Sequence, residues 1–129
     1  MRVRRFLTKV LLTLAAISSA GTGLAAGPYI AVAAKGPGAQ AAVSTVAARA
    51  PQILIFDGEG RFVAAHSNPV AARPGGAGPA LAQWLADHQV ALFIAGDVGD
   101  KMAPELQRLK IRSIVASGPA DRAVKAAAK

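Results

Sequence analysis

Cysteine is absent from this 129-residue chain, only seven residues are acidic, and aromatic side chains make up 5 % with a single Trp. Each shortage excludes a class of protein. Without Cys there is no disulfide framework, no thiolate nucleophile, no Cys-type structural zinc and no cluster held by protein thiolates. With one Trp and no stripe of basic residues interleaved with aromatics, the chain lacks the pattern of a nucleic-acid binder. The length leaves room for one small domain and not for several. No apolar run approaches the roughly 20 residues that a membrane-spanning helix needs. The apolar content is 53 %, but Ala supplies nearly half of it.

Residues 1–26 read as a secretory signal peptide. Arg2, Arg4, Arg5 and Lys9 form a basic start, Val10 to Ile17 an apolar run, and Ser18, Ser19, Ala20, Gly21, Gly23, Ala25 and Ala26 a small-residue stretch. Cleavage fits after Ala20, Ala25 or Ala26. An exported product, periplasmic or secreted, is therefore expected, touching a membrane only through an uncleaved signal segment. Export also changes the charge. The formal net charge of the whole chain is +8, and removing the four basic residues of the signal leaves eleven basic against seven acidic, a net +4.

Residues 27–129 then make one domain. Tyr29 to Ala34 is a short apolar run closed by Lys35-Gly36-Pro37-Gly38, the signature of a buried strand and a loop. Residues 39–50 are Ala-rich without a clear period, and predict a loop or frayed turn. Ile53-Leu54-Ile55-Phe56 and Arg61 to Ala65 flank Asp57-Gly58-Glu59-Gly60, a strong hairpin signal. After a loop from Ser67 to Gly78, Pro79 is suited to the first position of a helix whose stripe is Leu81, Trp84, Leu85 and His88. Val90 to Ala95 follows as a continuous apolar strand. Met102, Leu106 and Leu109 mark a second helix, Ile111 to Val115 a fifth strand, and Pro119 to Ala127 a last helix. Strands alternating with helices imply parallel pairing by right-handed crossovers. The expected fold is α/β: a mixed five-stranded sheet in the order β-β-β-α-β-α-β-α, with helices on both faces.

From about Tyr29 to Lys125 the chain resembles the nitrogenase iron–molybdenum cofactor-binding domain family, the domain of NifX-, NafY- and NifB-type proteins. The likeness rests on Ile30-Ala31-Val32-Ala33, Val43-Ser44, Arg49-Ala50-Pro51, Asn68-Pro69, Gly75-Gly76-Ala77-Gly78, Gly96-Asp97-Val98-Gly99 and Lys101-Met102, in that order. It implies a ribonuclease-H-like fold and a non-catalytic protein that binds or carries an iron-containing cluster or an iron–molybdenum cofactor-like ligand, with a metalloprotein as partner. Two features depart from the family. Many relatives carry a His-Phe-Gly or Arg-Phe-Gly segment, whose His is a candidate ligand, where this chain has Val46-Ala47-Ala48. The signal peptide is the second departure, because cofactor assembly is intracellular.

The best binding candidate is Gly75-Gly76-Ala77-Gly78 before Pro79. Backbone N–H groups at a helix N-terminus receive anions, favoured by the helix dipole. A second helix start, after Gly96-Asp97-Val98-Gly99, opens at the same sheet edge, as does the loop at Lys35 and Gly36. Ligands of open α/β sheets bind at the carboxyl ends of the strands. One crevice lined by residues 35–38, 75–78 and 96–100 is therefore expected, with Lys35 or Arg73 as counter-charge to a metal-containing or anionic ligand. The same glycines also suit tight strand–helix turns. His66 is the candidate metal ligand, while His88, on an apolar stripe at a helix end, reads as structural. Met102 reads as core. Ser67 beside His66 forms no nucleophile–base pair, since neighbours on a strand point to opposite faces. Asp57 reads as a hairpin residue and Asp100 as a helix N-cap. No enzyme is expected. The second reading is a protein-interaction module that kept the fold and lost the ligand.

Overall fold

The computed structural model describes residues 28–128. The expected signal peptide, residues 1–26, lies outside the described residues. Along the chain come β1 (Tyr29–Ala34), a 3-10 turn (Ala47–Arg49), β2 (Gln52–Phe56), β3 (Phe62–Ser67), α1 (Ala77–Asp87), β4 (Val90–Ala95), α2 (Met102–Arg108), β5 (Arg112–Val115) and α3 (Ala120–Ala128). The strands form one mixed sheet in the order β3-β2-β1-β4-β5. β1 pairs antiparallel with β2 and parallel with β4, β2 is antiparallel to β3, and β4 is parallel to β5.

The alternation of side chains along the strands splits the core into two layers. Ala31, Ala33, Ile53, Ile55 and Phe93 face α1 and α2, where they meet Leu81, Leu85, Met102 and Leu106. Ile30, Val32, Leu54, Phe56, Leu92 and Ile94 face the other way, onto Ala120 and Val124 of α3. The central strands β1 and β4 are covered on both faces and read as unbroken apolar runs for that reason. The edge strands are not: Val63 of β3 is 51 % exposed and Val115 of β5 is 72 % exposed.

Local chemistry sets the turns. In the β2–β3 hairpin Asp57 Oδ1 accepts from the N–H groups of Glu59 and Arg61, both at 2.9 Å, and Oδ2 from Arg61 Nε at 3.0 Å. These bonds, the Arg61 N–H foremost, hold the Asp57 carboxyl below its usual range. α1 starts one residue after Gly76, which takes the left-handed conformation (φ 68°), so Pro79 falls at the third helical position and not the first. Pro is still tolerated there, because first-turn N–H groups have no partner within the helix. Asp100 is not the cap of α2; that position belongs to Lys101, without a side-chain cap bond.

Residues 39–50 are an ordered strap and not a frayed turn. Val43 bridges to Ala34, and Ala42 to Pro119. At the end of β4 the strap lies directly on Gly96, where a Cβ would stand 2.7 Å from Thr45 Cα and 3.0 Å from Ser44 O. Gly96→Ala is therefore expected to destabilise the fold by about 1–3 kcal/mol, the usual range for overpacking against backbone that cannot rotate away. Gly75 has a negative φ and nothing within 4 Å of a built Cβ, so Gly75→Ala should stay within about 0.5 kcal/mol of the parent. Urea unfolding of the two variants side by side checks the contrast.

Candidate functional site

The carboxyl edge of the sheet carries the starts of all three helices, since each follows a strand that ends there. Between β1 and β4 the connections leave in opposite directions, which is where open α/β sheets place a ligand. Here the chain fills that gap itself. The N–H of Ser44 donates to Ala33 O (2.7 Å), Gly96 N–H to Ser44 O (2.8 Å) and Ala47 N–H to Asp97 O (3.0 Å). On the strap's other side Lys35 N–H donates to Ala42 O (2.9 Å) and Val43 N–H to Gly118 O (2.8 Å).

The open space is displaced toward α1 and α2. A crevice of about 250 Å³ is lined by Val46 and Ala48 of the strap, Gly78 of α1, and residues 97–102. Its floor is tight because α1 and α2 start almost in contact: a Cβ on Gly78 would stand 3.1 Å from Met102 Cβ. The first turn of α1 has no side-chain cap, so its backbone N–H groups keep their capacity to donate. The side chains of the crevice offer two carboxylates (Asp97 and Asp100) and one ammonium (Lys101). Asp97 Oδ1 is engaged with the N–H of Gly99 at 2.9 Å. Met102, 1 % exposed, belongs to the core with its thioether. The crevice holds no imidazole, so a metal ion would find only oxygen donors.

Of the residues that the sequence singles out, Gly78, Asp97 and Gly99 come together in this crevice, while Gly96 lies beneath the strap. The single crevice expected from three loops is not formed. Lys35 and Gly36 stand on the far side of the strap, where a Cβ on Gly36 would touch Ala41 at 3.5 Å. Arg73, Gly75 and Gly76 form the turn leading into α1, with Arg73 Nε donating to Gly75 O at 2.9 Å. Ala77 is buried. The long-range bonds of the strap cause this separation, and nothing in the local sequence announces them. His66 is on the edge strand, its ring centroid 5.3 Å from that of Trp84. Among the described residues no three His, Asp or Glu side chains are grouped to hold a metal ion.

Two residues that the sequence names only among the motifs of the resemblance, with no role of their own, position the crevice wall. Asn68, 7 % exposed, donates from Nδ2 to Ala48 O (3.1 Å) and Ala50 O (2.9 Å) and accepts at Oδ1 from Val70 N–H (3.0 Å). It ties the 3-10 turn to the loop before α1. Arg49 reaches the same loop from the turn, donating to Ala71 O (2.9 Å) and Arg73 O (2.6 Å). The signal available was the Asn68-Pro69 pair, a turn marker whose buried side chain only the fold reveals.

Comparison with known proteins gives a consistent result. The family model described as dinitrogenase iron-molybdenum cofactor matches residues 28–129. No curated protein matches the chain. Among solved structures, the apo form of the orange protein from Desulfovibrio gigas is 28 % identical, with 77 % of this chain and 85 % of that one covered and a TM-score of 0.67. A NifB-type protein from Thermotoga is 27 % identical over the same shares of the two chains, with a TM-score of 0.65.

Asn68 supplies a test of how the wall is held. Asn68→Ala leaves two carbonyls and one N–H without their partner, and is expected to lower stability by about 2–4 kcal/mol. Asn68→Asp keeps the shape but turns an acceptor toward the two carbonyls, so it should destabilise at least as much at pH 7. Thermal and urea unfolding measure both variants.

Proposed function

The chain belongs to the dinitrogenase iron-molybdenum cofactor family, and from that premise we propose that it is an exported, non-catalytic protein that binds an anionic or metal-containing ligand of the cofactor type. The ribonuclease-H-like reading fits the β3-β2-β1-β4-β5 order. The observation that carries the proposal is the crevice between Val46, Ala48, Gly78 and residues 97–102. It sits where two helices begin, at the edge where α/β sheets take ligands.

The donor set decides how such a ligand is held. Val46, Ala47 and Ala48 bring no donor side chain to the strap, and thiolate is absent from the sequence. A cluster in the crevice would therefore bring its own sulfur or nitrogen ligands, the chain offering only the carboxylate oxygens of Asp97 and Asp100. The protein contributes shape, the uncapped N–H groups at the start of α1, and the Lys101 charge. Lys35, beyond the strap, and Arg73, in the turn before α1, do not line the crevice. Binding of this kind is open and exchangeable, as suits a carrier. The role of a protein-interaction module is the second reading. It is favoured by the same donor-poor wall and by Val46, an apolar side chain 49 % exposed.

Calorimetry with the isolated iron–molybdenum cofactor, and with molybdate as a bare oxyanion, tests the proposal. One saturable site is expected, weakened at least tenfold by Val46→Glu, which adds a charge and bulk to the exposed wall. The ligand-free protein should be folded, and a ligand at about 100 times its dissociation constant should add only about 2.7 kcal/mol of stability. Absence of binding to cofactor and oxyanions alike would overturn the carrier role. Capture of one stable partner, unaffected by chelator, would then establish the second reading. Export is checked separately by the N-terminus of the protein recovered outside the cytoplasm, expected at Gly21, Ala26 or Gly27.

A further inference from the structure

The two histidines of the chain, 22 positions apart in sequence, meet on one indole. His66 pairs with Ile53 across the β2–β3 ladder, and Ile53 faces α1, so the His66 ring stands on that side of the sheet. Trp84 and His88 are one helical turn apart and share a face of α1. Their rings stack with centroids 3.8 Å apart and planes 25° apart. The His66 centroid is 5.3 Å from Trp84 and 5.5 Å from His88. All three side chains are half-buried.

The hydrogen bonding of His88 gives the pair a direction. Its Nδ1 lies 2.8 Å from Trp84 O. A carbonyl oxygen only accepts, so this geometry assigns the proton to Nδ1 and leaves a lone pair on Nε2. Imidazoles that bind metal are held in this way, one nitrogen donating to a backbone carbonyl or carboxylate and the other free to coordinate. Stacking on Trp84 further fixes the ring. Among the described residues no hydrogen bond engages the ring of His66.

The spacing agrees with a shared ion. With metal–nitrogen bonds of about 2.0–2.1 Å, a bound ion sits about 3.2 Å from a ring centroid, so two imidazoles have centroids about 5.2 Å apart at the tetrahedral angle of zinc and about 4.5 Å apart at the right angle of tetragonal copper, which requires the rings to close further. The observed separation is 5.5 Å. We propose that His66 and His88 form an open two-histidine site for a divalent late transition-metal ion, copper ahead of zinc. Imidazole donors suit both ions, and affinity for a given nitrogen site peaks at Cu²⁺. No third His, Asp or Glu joins the pair among the described residues, so water fills the remaining positions and the ion exchanges readily. The site lies at the C-terminal end of α1, and Gly78 of the crevice at its N-terminal end, so it stands independently of the proposed carrier role.

Trp84 reports directly on occupancy, because a paramagnetic Cu²⁺ ion beside an indole quenches its emission. The full chain is titrated with Cu²⁺ or Zn²⁺ in a non-coordinating buffer, following Trp84 emission and, for copper, the electron paramagnetic resonance spectrum. One equivalent of Cu²⁺ should quench Trp84 saturably, with the spectrum showing imidazole nitrogen ligands, and Zn²⁺ should displace it only in excess. His66→Gln and His88→Gln should each weaken copper binding at least tenfold. His66→Gln, on a partly exposed edge strand, is the variant that keeps the fold, and its circular dichroism verifies this. Quenching by copper that is equal in wild type and His66→Gln, or that never saturates, would overturn the site.

Discussion

The carboxyl edge of the sheet depends on one close crossing of two backbones. Where β4 ends, the strap at Ser44–Thr45 passes so near that Gly96 has no room for a Cβ. That contact lets the Gly96 N–H reach Ser44 O while the Ser44 N–H reaches Ala33 O, joining the ends of β1 and β4 through one residue. Side-chain packing cannot substitute for it, because backbone groups at a strand end need hydrogen-bond partners and Ser44 is buried there. Once the strap is fixed, Val46 and Ala48 face Gly78 and residues 97–102, and the crevice exists.

Small side chains extend the same logic through the core. Ala31, Ala33, Ala47, Ala50, Ala82 and Ala95 are all fully buried. Each buries little apolar area, so stability rests on close approach of layers and less on large side chains. Gly78 against Met102 is one instance, where α1 and α2 begin. The large residues are reserved for the centre: Phe93 and Leu85 on one face, Phe56 and Leu54 on the other. A core built this way tolerates enlargement poorly, which is why Gly78 and Gly96 are structural positions, Gly78 also lining the crevice.

The strands were legible because their signal is local. Tyr29–Ala34 and Val90–Ala95 coincide with apolar runs, and Asp57-Gly58-Glu59-Gly60 sits between β2 and β3 as its turn chemistry requires. The edge was less so. Whether Lys35 and Gly36 join Gly78 and Gly99 depends on what lies between them. The intervening strap is held by bonds to Ala33, Gly96, Asp97 and Gly118, all distant in sequence. An Ala-rich stretch without period carries no mark of that role. Asn68 is similar: the sequence offers a turn residue, while its three buried bonds come from bringing residues 48 and 50 beneath it. His66 and His88 looked unrelated for the same reason, since only the β2–β3 register turns His66 toward α1.

The two candidate sites on α1 therefore differ in kind, and the helix explains the difference. At its N-terminus the available groups are backbone N–H donors with the positive end of the dipole, suited to a ligand that brings negative charge and its own coordination. At its C-terminus the last carbonyls are acceptors, and Trp84 O takes the Nδ1 proton of His88. In the neutral imidazole that interaction leaves the Nε2 lone pair available, as coordination of a cation requires. The two proposed sites thus lie at opposite poles of the same eleven-residue helix. Asp97 and Asp100 set two carboxylates against the single ammonium of Lys101 in the crevice, so attraction for an anion there rests on the backbone N–H groups and not on the side-chain charge balance.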